Sequence, residues 1–284
     1  MYLAYLALIV RILLLGYERI IFKQLGQNSG SEESVFLIFA TGTFFLLPFM
    51  VLAPLPSDYS YLWLACLSGL VYAVQTVFYV KSLSSGEASL VGPLYNFNVF
   101  FLLVLTTIFL QESLTLYKIA GLVLLVYGSS FLSRQKNLLL SLMALIRDKA
   151  CRFMLVCSAL VAVGRTIDGF AIRHIHPLTY TFATCIAMTA FLFVHLLVTG
   201  RLKSARSLFR NKRRTSIIAG AVDCYSYLAL MFAITGIEVS IAEPASMLGM
   251  IVTVILAHFI FREKIASRLV GVVIMILGAW LLFL

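Results

Sequence analysis

Residues 238–244 read Glu-Val-Ser-Ile-Ala-Glu-Pro, and residues 87–93 read Glu-Ala-Ser-Leu-Val-Gly-Pro. Each stretch runs on through a long apolar segment into a short polar turn. The turn is Leu110, Gln111, Glu112 and Ser113 in the first, and Phe261, Arg262, Glu263 and Lys264 in the second. Each then closes on another apolar run with a spaced pair of glycines, Gly121 with Gly128 and Gly271 with Gly278. Glu87/Glu238, Ser89/Ser240, Pro93/Pro244 and Glu112/Glu263 share an offset of 151, and the glycine pairs an offset of 150. Apolar composition alone does not produce matches this regular. The chain contains an internal repeat, and the repeat sets the architecture.

The chain is 62% hydrophobic and 12% charged, with a mean hydropathy of +1.01. Soluble domains average roughly 25% charged residues, so the composition indicates a polytopic membrane protein. A spanning helix needs about 20 mainly apolar residues. That criterion picks out ten segments, at 3–22, 35–54, 60–81, 87–110, 114–132, 152–172, 178–199, 214–235, 238–261 and 265–284. Further echoes link the first and sixth segments (Leu15-Gly16-Tyr17 with Val163-Gly164-Arg165) and the third and eighth (Ser68-Gly69 with Ala219-Gly220). The expected organisation is a first repeat at 1–132, a basic linker at 133–151 and a second repeat at 152–284. Five is odd, so the second copy enters the membrane from the opposite side. The expected fold is all-α, with ten transmembrane helices as two inverted five-helix repeats, an arrangement of secondary transporters. The first apolar run lacks a small-residue cleavage site and is expected to continue as a spanning helix. The five cysteines form no Cys-x-x-Cys pair and read as small packing residues.

The net charge of +10 would suggest nucleic acid in a soluble protein. Here it follows from topology. Basic residues concentrate in 133–152 and 200–214, on the face opposite the termini, whereas loops on the terminal face carry only Lys118 and Arg173. The positive-inside rule then puts both termini outside and the basic loops in the cytoplasm, facing anionic lipid. The apolar middle of the linker, 138–146, is too short to span and fits the membrane interface. The chain is expected to be multi-pass in the cell (inner) membrane, with membrane lipids and a small-molecule substrate as partners and no nucleic acid.

This pattern resembles the EamA-type members of the drug/metabolite transporter superfamily. The resemblance rests on Phe109-Leu-Gln-Glu112 with Gly121 and Gly128, on Phe261-Arg-Glu263 with Gly271 and Gly278, and on Pro93 and Glu243-Pro244. It covers essentially the whole chain and implies export of amino acids or similar metabolites. The sequence departs from the family in two ways. Gln111 and Arg262 stand where the family usually has Gly before the Glu, and characterised relatives mostly have cytoplasmic termini, opposite to the charge bias here.

Ionisable residues within spans are the natural site candidates, because each costs several kcal/mol unless paired or wet. Arg11, Glu18, Arg19, Arg165, Asp168, Asp223 and Glu243 qualify. Arg165 and Asp168 share a helical face, as a self-neutralised pair or as a site where substrate or a proton competes for one partner. Glu18 lies near the equivalent depth in the first half. Asp223 is isolated, and reads as a proton or cation site or as the partner of an arginine. Glu243 reads either as a cavity acid or as the second member of a capping box with Ser240. Glu112 and Glu263 read as structural, neutralising the helix that follows each. Tyr72, Gln75, Tyr95, Asn96 and Tyr227 add polar groups suited to a small polar or cationic molecule, although tyrosines also collect at membrane interfaces.

No nucleotide-binding, zinc or triad motif is present, so no enzyme activity and no cofactor or metal is expected. The expected function is a secondary transporter, an exporter of small polar metabolites such as amino acids or amines, with proton or cation coupling. A non-transporting lipid-binding component, quaternary-amine uptake, nucleotide-sugar exchange and lipid-carrier flipping are the alternatives. A reporter fused after Leu284 is expected to be active only outside the cytoplasm; activity confined to the cytoplasm contradicts the charge argument.

Overall fold

The computed structural model describes residues 2–26, 29–50, 59, 61–85, 95, 97–132, 149–252, 255–256 and 269–283, and among them every element is helical. In chain order these are α1 (Tyr2–Gly26), α2 (Ser31–Met50), α3 (Leu62–Ser85), α4 (Asn98–Leu105), α5 (Leu116–Leu132), α6 (Lys149–Ala171), α7 (Pro177–Val198), α8 (Leu202–Asn211), α9 (Arg213–Ala233), α10 (Val239–Ser246) and α11 (Leu269–Leu281). Helices α2, α3, α6, α7 and α9 are each long and apolar enough to cross a membrane. Helix α1 is longer still, but it carries Arg11, Glu18, Arg19 and Lys23. The apolar stretches Asn98–Leu110, Leu116–Gly128 and Val239–Val252 are shorter.

Helix pairing reflects the repeat. Helix α1 packs on α9 and α3 on α6; α2 packs on α9 and α3 on α7. Exchanging the two halves converts each member of these couples into the other. The remaining major pairs, α2 with α7 and α5 with α11, map onto themselves. The α5–α11 seam shows why the glycines recur. A Cβ at Gly121 would lie 2.7 Å from the Gly278 carbonyl oxygen, and one at Gly278 would lie 2.9 Å from that of Gly121. Gly128 meets the Gly271 carbonyl in the same way, at 2.9 Å. The start of each helix therefore touches the end of the other, so they run antiparallel. Only glycine permits two backbones this close.

Helix α4 continues as a π-helical turn, Thr106–Leu110, and stops at Gln111, whose φ of 57° is left-handed. Such a C-terminal position favours glycine, which has no Cβ to clash. The family's usual glycine thus has a backbone reason, and Gln111 occupies that conformation at a cost. The following residue corrects a sequence expectation. Glu112 does not serve the helix after it. Its Oε1 accepts from Val239 N at 2.8 Å and its Oε2 from Ser240 N at 3.0 Å. It therefore caps α10, in the other half of the chain. The expected Ser240–Glu243 capping box does not form, because α10 begins at Glu238 without a side-chain cap of its own and the backbone donors are already taken. Glu263, like Glu87, Ser89 and Pro93, lies outside the described residues.

The basic segment 200–214, expected as a loop, contains a helix. In α8, Ala205 is buried and Leu202, Leu208 and Phe209 are half-buried, whereas Lys203, Arg206 and Arg210 are exposed. This amphipathic spacing was available in the sequence. Arg201, just before it, pairs with both Glu32 and Glu33 at the start of α2.

Replacing Gln111 by Gly is expected to raise stability by roughly 0.5–1 kcal/mol through relief of the left-handed strain. A melting temperature that is unchanged or lower in detergent contradicts the capping argument.

Candidate functional site

The centre of the bundle is organised by Arg165 and Asp168, one turn apart on α6. Asp168 has no exposed surface. Its Oδ1 accepts from Ser68 Oγ at 2.8 Å, Tyr180 Oη at 2.7 Å and Tyr227 Oη at 3.0 Å. Its Oδ2 accepts from Tyr72 Oη at 2.6 Å and Arg165 Nη1 at 3.2 Å. The donors come from α3, α6, α7 and α9, so this carboxylate ties four helices together. Arg165 is equally committed. Its Nε donates to Glu243 Oε2 at 3.0 Å, its Nη1 also donates to Tyr72 Oη at 2.9 Å, and its guanidinium lies 5.0 Å and 5.5 Å from the Tyr72 and Tyr227 ring centroids. The geometry thus favours the self-neutralised pair, extended by one member. Glu243 completes it as a buried acid facing Arg165 rather than as a helix cap.

Beside this cluster lies a cavity of about 90 Å³, counted over positions open to the centre of a water molecule. On that measure one water needs roughly 10–15 Å³, so the space holds several waters or a small polar ligand. Its lining includes Tyr72, Gln75, Thr76 and Tyr79 of α3, Tyr95, Arg165 and Tyr227. The Tyr79 and Tyr95 rings meet edge-on with centroids 5.4 Å apart. Gln75 Nε2 donates to Cys157 Sγ at 3.0 Å and Thr76 Oγ1 to Gln75 Oε1 at 3.1 Å. Arg11, Glu18 and Phe22 of α1 and Asp223 of α9, one turn from Tyr227, also line the cavity.

The charged groups of the lining differ in how far they are satisfied. Arg11 Nη1 donates to Ser226 Oγ at 2.5 Å, but its buried Nε has no partner, and Nη1 stands 3.9 Å from Glu18 Oε2. That separation brings the charges together without a hydrogen bond. Asp223 is half-buried, lines the cavity and takes part in no hydrogen bond or ion pair among the described residues. The repeat accounts for the asymmetry. At the offset of 151 Asp223 stands where the first half has Tyr72. By the Gly16/Gly164 alignment, Ile20 stands where the second half has Asp168. The hub is therefore built once: the first half has an isoleucine where the second has Asp168, and Asp223 has a tyrosine as its counterpart.

Among the sequence candidates, Glu18, Tyr72, Gln75, Tyr95, Arg165, Asp223 and Tyr227 line the cavity, while Asp168 and Glu243 stand behind it as partners of Arg165. Asn96 lies outside the described residues. Arg11, which the sequence offered as an ionisable residue within a span without a specific role, also lines the cavity. Ser68 and Tyr180 carried no comparable signal, since a hydroxyl in an apolar helix does not show where it points.

The cavity reaches from the level of Arg165 and Tyr72 towards the ends of α1 and α3 and the start of α6, the face with the basic loops. At the other face the halves are fastened together. Lys118 Nζ bonds Glu238 and donates to Ser240 Oγ at 3.1 Å; Arg173 Nη2 donates to the Leu110 carbonyl at 2.9 Å; and Glu112 caps α10. Lys118 and Arg173, the exceptions to the charge asymmetry, thus both hold structural contacts between halves.

Comparison with known proteins agrees with this architecture. No curated protein matches the chain. A solved crystal structure aligns with a TM-score of 0.73 at 13% identity, covering 98% of this chain and 95% of its own. At that identity the likeness is one of fold. The EamA-like transporter family matches over residues 2–134 and again over 149–284. The chain belongs to the EamA-like transporter family, within the drug/metabolite transporter superfamily.

Proposed function

We propose that the chain is a secondary transporter that exports small polar metabolites such as amino acids or amines, by alternating access of two inverted five-helix halves with ten spans. The observation that carries the reading is the carboxylate of Asp223, which lines a tyrosine-rich cavity and makes no hydrogen bond or ion pair among the described residues. An unpaired acid inside a membrane is costly and marks a substrate or proton pathway by default. The antiparallel α5–α11 seam and the half-exchange symmetry of the helix pairs support inversion. The opening towards the basic face, cytoplasmic by the charge rule, supports loading from inside the cell.

The division of labour follows from the hydrogen bonding. Arg165 is held by two carboxylates, Asp168 and Glu243, so its own charge is fully engaged and that side presents chiefly aromatic faces and hydroxyls to the cavity. Asp223, with Glu18 and Arg11 beside it, offers charge. An ammonium group placed against Asp223 gains a charge-assisted contact and packs against tyrosine rings. Proton exchange at the same carboxylate supplies a coupling step, because substrate and proton then compete for one group. A closed state facing the other side requires release of the Lys118–Glu238 and Arg173–Leu110 fastenings.

Purified protein in liposomes with an imposed proton gradient is expected to move members of an amino-acid and amine panel. A hydrogen bond to a charged group contributes about 1.5–3 kcal/mol, so Asp223→Asn is expected to slow transport by roughly ten- to a hundredfold. Full transport by this variant removes Asp223 from the site, and a panel that is not moved at all removes the substrate class.

A further inference from the structure

A second recess in the described part of the protein is apolar. It is a lateral groove of about 420 Å³ on the outside of the bundle, lined by Leu37, Ala40 and Phe44 of α2, Phe209 of α8 and Ile217 of α9. Thr41 also borders it, but its hydroxyl is already used, donating to the Leu37 carbonyl at 2.7 Å and lying 3.0 Å from that of Ser216. The groove therefore presents hydrocarbon and asks for nothing polar. From Leu37 to Phe45 it follows α2 for about 12 Å at 1.5 Å per residue, the length of the upper part of a lipid acyl chain. Phe44 stands 69% exposed along it.

The rim carries charge. Arg206 lies three residues before Phe209 on α8, Arg210 follows Phe209 directly, and Arg213 lies four residues before Ile217 on α9. These spacings put Arg206 and Arg213 on the helical faces that contribute to the groove. All three arginines are exposed, and none has an ion pair or hydrogen bond among the described residues. Their neighbours in the same segment are engaged. Arg201 pairs with Glu32 and Glu33, and Lys212 Nζ donates to the Gln24 and Leu25 carbonyls at 3.1 Å. Of the seven basic residues in 200–214, Arg201 and Lys212 thus fasten the segment to α1 and α2, and Arg206, Arg210 and Arg213 stand nearest in sequence to the groove residues Phe209 and Ile217.

We propose that this groove is a binding site for an anionic diacyl phospholipid, with one acyl chain along α2 under Phe209 and the phosphate against Arg206, Arg210 and Arg213. The amphipathic α8 lies at the headgroup level, where guanidinium forks match phosphate oxygens. The occupied site bridges α2, α8 and α9. Since α2 supplies Phe39 and α9 supplies Asp223 to the central cavity, the lipid touches two helices of the transport site without entering it. The proposal does not depend on which solute is carried.

The test measures binding to the intact protein in a neutral detergent by native mass spectrometry, with dioleoyl phosphatidylglycerol, dioleoyl phosphatidylcholine and soluble glycerol 3-phosphate as probes. Each basic residue near a membrane surface contributes attraction to anionic lipid. Phosphatidylglycerol is therefore expected to bind about tenfold or more tighter than phosphatidylcholine, and glycerol 3-phosphate not to bind at the same concentration. The triple variant Arg206→Gln, Arg210→Gln, Arg213→Gln is expected to reduce phosphatidylglycerol binding to the phosphatidylcholine level. Ala40→Phe, which fills the groove and leaves the charge intact, is expected to weaken both lipids. Equal binding of the two lipids, a triple variant that keeps the preference, or glycerol 3-phosphate binding as well as the lipid overturns the proposal.

Discussion

A carboxylate with no exposed surface, in the middle of an apolar bundle, is the constraint around which this structure is built. Ionised and alone, such a group costs far more than a domain's whole stability, so it must be paired and hydrogen-bonded. Asp168 meets the condition with five donors, four of them hydroxyls and one the guanidinium of Arg165. Each donor comes from a helix that must be in register for the bond to form. Moving α7 or α9 takes one donor from the carboxylate, and moving α3 takes two. The cluster therefore fixes the relative placement of helices from both halves, and Glu243 extends the same demand to α10.

The halves meet in other ways at their periphery. Glycine backbones touch along α5 and α11, where close packing supplies the attraction that hydrophobicity cannot supply in lipid. At the face away from the basic loops, Glu112 caps a helix of the opposite half, and Lys118 pairs with Glu238. Charge at a helix N-terminus favours an acid, and the cap here is donated across the repeat rather than within it. The proposed alternating access would need contacts of this kind, strong when made and separable without dismantling either half.

Much of this was legible in the chain. The repeat, the helical class and the α6 pair follow from sequence offsets and spacing. Gly121 and Gly278 announced a close seam. The destination of long-range polar contacts was not legible, because periodicity places a residue on a face without saying what lies opposite. Glu112 read as serving its neighbouring helix, since a local partner was the only one visible. Glu243 satisfied a local capping pattern that the folded chain does not use. Asp168 and Asp223 were both read as intramembrane acids, the first beside Arg165 and the second isolated, and both stayed open as sites. What separates them is their surroundings: one stands among hydroxyls from Ser68, Tyr72, Tyr180 and Tyr227, and the other faces space. The helix α8 was missed for a different reason, since its many charges outweighed its amphipathic spacing.

The central claim is that one of these acids holds the structure and the other serves the cavity. Thermal unfolding of Asp168→Asn and Asp223→Asn in the same detergent tests it directly. Breaking a buried, hydrogen-bonded charge pair typically costs about 3–5 kcal/mol, so the Asp168 variant should melt well below the parent protein. The Asp223 variant removes a carboxylate that makes no hydrogen bond or ion pair among the described residues and should melt at or above the parent temperature. If the Asp223 variant melts first, or the two are equally tolerated, the division between scaffold and site is wrong.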